Sequence, residues 1–547
     1  MLLPLINFMQ ANTAGIEPLR VEFSRADLEG VLPATLMFAT GIVALLADLL
    51  VGPSQRGGST PEELDADLRS PKSHLSFIGI GGGVLALMTL WFGSSTGETI
   101  LKGALRADAF SDFASAIIIV AAILTSLSAG SYLGAQGQNR GEFHGLLWLG
   151  GGAMVVLTQA TNLISIFVAI ETLSLSVYVL AGFFREWKKG SEGAIKYFVM
   201  GAFSSGFLLL GMAFLYGATQ SIDLAALADP AADRYLLILG LLLCLIGLAF
   251  KVGAVPFHSW VPDVYQGAPA IAAGWMAVAV KAASFAVLLR LVVAAGAKSG
   301  VLVGTGLTGG FEFERTGEAI GTIIAVIALS TMILGNLAAL NQTNIKRMLA
   351  YSGIAHSGYL MIPIYLALRG EGRVEVGAAV LYYLVAYLLM TFGAFAVVAT
   401  VSRGDSDRED IESFNGLAKS HPLLAFAMTV SLMSLAGIPL TGGFIGKLFV
   451  FKGAVLGAVS GDGWNAGLFN LALVGILASI VSVYYYLRPI VAMYFRESDR
   501  PILKVEAPWG LHLTLVITSV ATFAVGLFPA RLHALSKAAA ESLGGGS

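Results

Sequence analysis

The chain has 547 residues, 56% of them hydrophobic and only 12% charged, where an ordinary soluble domain carries about 25% charged residues. Most of such a surface cannot face water, so composition excludes an ordinary soluble domain and points to an all-α, polytopic membrane bundle. The 33 basic residues nearly balance the 35 acidic ones, which leaves no basic stripe for a nucleic-acid partner. Cys244 is the lone cysteine, so an intrachain disulfide, a CxxC motif and a cysteine-ligated iron–sulfur cluster are all excluded.

Residues 1–30 form a lead whose opening, MLLPLINFMQ, lacks the basic n-region and cleavage pattern of a signal peptide. Apolar stretches of about 20 residues, the length that crosses a bilayer as helix, then recur about fourteen times. Three at 31–51, 75–92 and 113–133 make a first group within 31–134, interrupted by a polar loop at 53–73. That loop is too rich in Gly, Pro and acidic residues to lie in lipid. Five spans at 146–158, 163–184, 195–216, 235–257 and 270–294 fill 143–296. Five more at 320–340, 348–368, 376–401, 423–455 and 468–494 fill 318–496, and one at 509–529 leads into a short tail within 508–547. Assigned alternately to two sides, the connections hold fifteen against eleven Lys or Arg. The positive-inside rule then puts both termini on the non-cytoplasmic side.

Ionisable residues stranded inside spans carry the functional signal, since a charge at the bilayer centre costs at least about 2.5 to 3.5 kcal/mol. Glu171, Lys281, Lys251 and Lys447 are such residues, whereas Lys452, Arg290 and Arg488 lie nearer span ends and read as snorkelling or paired. Two of the lysines sit beside helix breaks. Pro256, in FKVGAVPFHSW, cannot donate to the carbonyl of Val252; Pro439, in SLAGIPLTGGFIGK, cannot donate to that of Leu435. Irregular backbone at membrane depth survives only where protein or a water-filled cavity satisfies it, which is how transporters build ion paths. The breaks fall in the seventh and twelfth spans, five apart, and suit two five-helix repeats. A lysine between burial and a nearby carboxylate can be made to hold or release a proton, and His258 and His356 could extend such a relay. The alternative for each histidine is a simple hydrogen bond to a carbonyl.

GTGLTG at 304–309 matches GxGxxG but lies in a loop, not between a strand and a helix. GIGGG at 79–83 reads as a close-packing helix face. The absence of HExxH, Walker A and nucleophile-elbow motifs leaves no sign of covalent catalysis by this chain alone.

Five segments together resemble the antiporter-like membrane subunits of respiratory NADH:quinone oxidoreductase, complex I. They are ETLSLSVYVLAG from Glu171, EGAIKYFVMGAFSSG from Glu192, FKVGAVPFHSWVPDVYQGAP from Phe250, GNLAALNQTNIKRMLAYSGIAHSGY from Gly335 and SLAGIPLTGGFIGK from Ser434. The resemblance runs over roughly 108–529, and PFHSWVPDVYQGAP with IAHSGY is nearer to the N branch, the counterpart of mitochondrial NADH dehydrogenase subunit 2, than to its sisters. It implies two inverted five-helix repeats with broken helices. It also implies a proton relay in which Glu171, Lys251, Lys281 and Lys447 are the principal groups and Lys196, His258 and His356 a second tier. No cofactor or metal is expected in this chain; NADH, FMN, iron–sulfur clusters and quinone would sit on other subunits. Expected partners are the other membrane subunits, sister antiporter-like subunits included, and lipids, in a bacterial plasma membrane. Two readings compete: a cation/proton antiporter driven by an ion gradient, and a membrane scaffold whose buried charges only pair helices.

Overall fold

The computed structural model describes residues 23–51, 73–93, 97–229, 231–296, 311–369, 372–402, 408–459, 465–497 and 509–543. The 53–73 loop apart from Ser73, the GTGLTG run and residues 1–22 of the lead lie outside these. The described chain is a helical bundle with one two-stranded hairpin, Thr99–Ile100 against Leu105–Arg106. The helices of its first part are α1 (Arg25–Val51), α2 (Ser73–Phe92), α3 (Ala109–Ala135), α4 (Gly141–Gln159), α5 (Leu163–Ala181), α6 (Lys188–Thr219), α7 (Arg234–Val252) and α8 (Trp260–Gly267). Then come α9 (Ala270–Gly296), α10 (Phe311–Leu340), α11 (Ile345–Leu368), α12 (Arg373–Ser402), α13 (Pro422–Ala436), α14 (Gly442–Val459), α15 (Ala466–Phe495), α16 (Trp509–Leu527) and α17 (Pro529–Glu541). Twelve of the described helices are long and apolar enough to cross a membrane.

All fourteen predicted spans fall on helices, and the differences have local causes. α1 begins before the predicted 31, because Ser24 and Asp27 cap its first turn reciprocally, Ser24 N to Asp27 Oδ2 at 2.8 Å and Asp27 N to Ser24 Oγ at 3.0 Å. The seventh span does not run to 257: α7 stops at Gly253, whose φ of 70° ends the helix as glycine readily does, and the stretch before the eighth span holds the half-helix α8. The twelfth span likewise divides into α13 and α14 around Gly437. Asp108, Asn162, Asp233, Asn344 and Asn465 cap α3, α5, α7, α11 and α15 with their side chains.

α9 is the central post, buried from Ala270 to Val293, and α12 is almost as enclosed. Around them the outer faces are apolar: Ile195 and Phe203 of α6 are 65% and 71% exposed, as a lipid-facing surface requires. The glycines of GIGGG do allow close packing, for a Cβ on Gly79 would meet Ser126 and Trp148 and one on Gly83 would meet Ile123. Sequence reasoning saw only a tail after the last span. The tail folds as α17 and packs Ser536, Ala539 and Ala540 inward against the bundle.

Candidate functional site

The two helix breaks free the carbonyls that the prolines require, and each finds a partner. In the first, Val252 O accepts from Ser357 Oγ of α11 at 2.6 Å, Phe250 O accepts from Trp260 Nε1 at 3.1 Å, and Val255 N donates to Thr331 Oγ1 at 2.9 Å. Neutral groups close this break, so Lys251 is left to reach elsewhere: its buried Nζ donates to Ser174 Oγ of α5 at 2.6 Å. Ser174 lies three residues after Glu171, on the same helix, and the half-buried Glu171 accepts from Ser205 Oγ of α6 at 2.5 Å. In the second break the lysine itself closes the gap. Lys447 Nζ donates to Leu435 O at 2.8 Å, to Ala436 O at 2.9 Å and to Ser479 Oγ at 2.7 Å.

Lys281 and His356 lie between these ends. Lys281 follows a π-helical segment, Met276–Val280, a distortion that recurs at functional sites. Its Nζ donates to the Gly353 carbonyl and to Tyr387 OH at 3.3 Å. Lys251 and Lys281 both line a small cavity of about 10 Å³, together with Tyr197, Trp260 and Tyr265, room for about one water molecule. His356 has a phenol on each ring nitrogen, Tyr383 OH on Nδ1 at 2.6 Å and Tyr486 OH on Nε2 at 3.2 Å. Tyr486 continues to the Ser352 hydroxyl. Lys447 Nζ stands 5.4 Å from the Tyr359 ring, against whose face the His356 ring packs edge-on at 5.5 Å.

Two sequence candidates stand apart from this row. Lys196 is 44% exposed and pairs with Glu192 at 2.6 Å and with Asp263 of α8 at 2.9 Å. Asp263 also pairs with Arg347 at 2.7 Å, so the three helices α6, α8 and α11 meet in a semi-exposed ion network. His258 is partly exposed in the first break, and among the described residues no hydrogen bond joins it to Lys251; its Nδ1 is buried without a hydrogen-bond partner among them. Arg290 and Arg488 have fixed partners. Arg290 pairs with the buried Asp108 at 2.6 Å and donates to Thr158 O at 2.8 Å, while Arg488 donates to Leu340 O and Gln342 O at the end of α10. Sequence reasoning missed Lys346, fully buried with Glu409 at 2.7 Å, because Glu409 comes from a connection that reads as exposed. It also missed the hydroxyls of Ser174, Ser205, Ser357, Ser479, Tyr383, Tyr387 and Tyr486. Only Ser174 offered a signal, its one-turn spacing from Glu171.

The buried cations thus divide by partner. Arg290 and Lys346 each face a carboxylate, whereas Lys251, Lys281 and Lys447 make no ion pair among the described residues and are bonded only to hydroxyls and carbonyls. Removing a proton from Lys346 would break a direct ion pair with Glu409; removing one from Lys251 breaks none. Among the described residues no three His, Cys, Asp or Glu side chains converge as a metal site would need.

Broken helices at membrane depth, with a row of buried proton-holding groups between them, define an antiporter-like membrane subunit. The family model for NADH:quinone oxidoreductase/Mrp antiporter, TM matches residues 160–460, which contain the whole row apart from its far wall at Ser479 and Tyr486. The chain is 36% identical to NADH-quinone oxidoreductase subunit N of Myxococcus xanthus over 92% of its own length and 96% of the relative's, and 36% identical to that of Trichlorobacter lovleyi over 93% and 96%. It belongs to the NADH-quinone oxidoreductase subunit N family. Among solved structures, a chain of respiratory complex I from Thermus thermophilus superposes with a TM-score of 0.72 at 29% identity, covering 92% of this chain and 98% of that one. The fold alone is shared with a chain of an archaeal membrane-bound sulfane sulfur reductase, at a TM-score of 0.77 and 21% identity over 94% and 97% of the two chains.

Proposed function

We propose that this chain is the proton-translocating N subunit of a NADH:quinone oxidoreductase, and that Glu171, Lys251, Lys281, His356 and Lys447 pass the proton. The observation that carries the reading is the division of buried cations: three lysines at membrane depth have only neutral partners, the arrangement a group needs if it is to hold and release a proton in turn. Quinone reduction elsewhere in the complex would supply the driving change, moving a carboxylate such as Glu171 toward or away from Lys251. One water in the cavity between Lys251 and Lys281 would complete that link, and the two phenols on His356 would carry it toward Lys447. Lys196 and His258, away from the row, would serve its rim. NADH, flavin, iron–sulfur clusters and quinone would bind other subunits, and the partners would be those subunits and lipid. The domain reading is retained within the proposal: repeats at 143–296 and 318–496, flanked by 1–30, 31–134 and 508–547, with both termini non-cytoplasmic in a bacterial plasma membrane.

The test is Glu171→Gln in the assembled complex in sealed vesicles, read as protons taken up per NADH oxidised. The glutamine keeps an oxygen for Ser205 and loses only the charge, so assembly should hold while pumping falls. Normal pumping by the assembled variant would refute the role. Co-purification with NADH-oxidising chains separates this reading from that of a gradient-driven cation/proton antiporter.

A further inference from the structure

Beyond Lys447 on α14, the helices α11, α12, α14 and α17 line a second and much larger cavity of about 340 Å³, the size at which ligand pockets begin. Its walls are apolar, Leu366, Val376, Ala379, Val450 and Leu456, and its room comes from Gly453 and Gly457 on α14. Charge is confined to three residues, Glu375, Lys452 and His533. Glu375 is exposed and pairs with Lys537 of α17 at 3.3 Å. His533 stacks on Phe449 with centroids 4.4 Å apart, and its buried Nδ1 has no hydrogen-bond partner among the described residues. Burial first, then the ammonium charges of Lys537 and Lys452, hold this imidazole below the usual histidine range. Lys452 is exposed and makes no ion pair among the described residues, so the cavity carries one uncompensated positive charge.

We propose that this cavity is a binding site for one anionic phospholipid, its acyl chain between α11, α12 and α14 and its phosphate against Lys452 and His533. The mostly apolar walls favour hydrocarbon over a wholly water-soluble ligand, most of whose hydration they would not replace. A membrane lipid has the complementary halves: hydrocarbon for the walls, and a phosphodiester whose single charge matches the single spare ammonium. Lys452 suits the contact as an exposed lysine on apolar α14, a place from which an ammonium can reach a headgroup. The unpartnered Nδ1 of His533 offers the phosphate a second polar contact.

The complex, in vesicles mainly of phosphatidylcholine, would be photolysed with a trace of phosphatidylglycerol or of phosphatidylcholine bearing a diazirine on the acyl chain, and labelled peptides of this chain mapped. Labelling of the α12 and α14 segments at Val376 to Ala379 and Val450 to Leu456 should be about fivefold greater from phosphatidylglycerol, the preference one surface lysine confers. Lys452→Gln should bring the two lipids close to equal. Gly453→Phe, whose Cβ would have ordinary clearance from Leu366 at 3.5 Å, should fill the cavity and remove labelling there from both lipids while labelling elsewhere on the chain persists. Equal labelling by the two lipids in the unaltered protein, no change with Lys452→Gln, or cavity peptides that take no label because another subunit covers them would each overturn the proposal.

Discussion

The two broken helices solve one problem in opposite ways. At the α7–α8 break the freed carbonyls are closed by neutral donors, Ser357 and Trp260, and Lys251 reaches away from the break to Ser174. At the α13–α14 break Lys447 is itself the donor that closes the carbonyls of Leu435 and Ala436. The first lysine is therefore separable from the architecture and the second is not. Lys251 also sits in the last turn of its own helix, where a cation is favoured, so what sets Lys447 apart is its donation to the freed carbonyls across the break.

Substitution by methionine should expose this difference most strongly. Lys251→Met should abolish most pumping while leaving the amount of assembled complex nearly unchanged, since Ser174 alone loses a partner. Lys447→Met should lose pumping and also stability, because the buried carbonyl of Leu435 is left unmet at about 1–3 kcal/mol and that of Ala436 keeps only Ser479 Oγ at 3.4 Å; detergent melting of the complex with quantified assembly would show it. Equal stability of the two variants would break the comparison. Ser357→Ala asks the reverse question. It leaves Val252 O without its donor and should cost about 1–3 kcal/mol in melting experiments, with pumping per assembled complex falling much less than in Lys251→Met. Smallest of all should be Lys452→Met. Five residues beyond Lys447 and exposed on another face of α14, it should leave proton uptake near normal, and behaviour equal to Lys447→Met would show that the wrong lysine has been placed in the row.

Most of the fold was legible because lipid imposes a simple rule, about twenty apolar residues per crossing, and the breaks were legible because proline cannot donate. What closes a break was not. Ser357 and Trp260 lie 105 and 10 residues from the carbonyls they meet, and a hydroxyl in an apolar span looks alike whether it bonds only its own helix, as Thr172 does to Val168, or also takes a lysine, as Ser174 does beside its bond to Ile170 O. Lys196 shows the converse failure. Hydropathy put it at the edge of a span, yet only the packing of α8 against α6 and α11 brings Asp263 to it. Lys346 was passed over because its counter-ion arrives from a connection with no apolar pattern, although the two are buried together and tie α11 to the chain beyond α12.

The central claim is that unpaired buried lysines, not the paired ones, carry the proton. Its most direct measurement is proton uptake per NADH oxidised in sealed vesicles containing the Lys251→Met complex, with assembly quantified on the same preparation. A fully assembled complex with sharply reduced uptake is the predicted result. Full uptake from that complex would contradict the account, whatever the stability of its Lys447→Met counterpart.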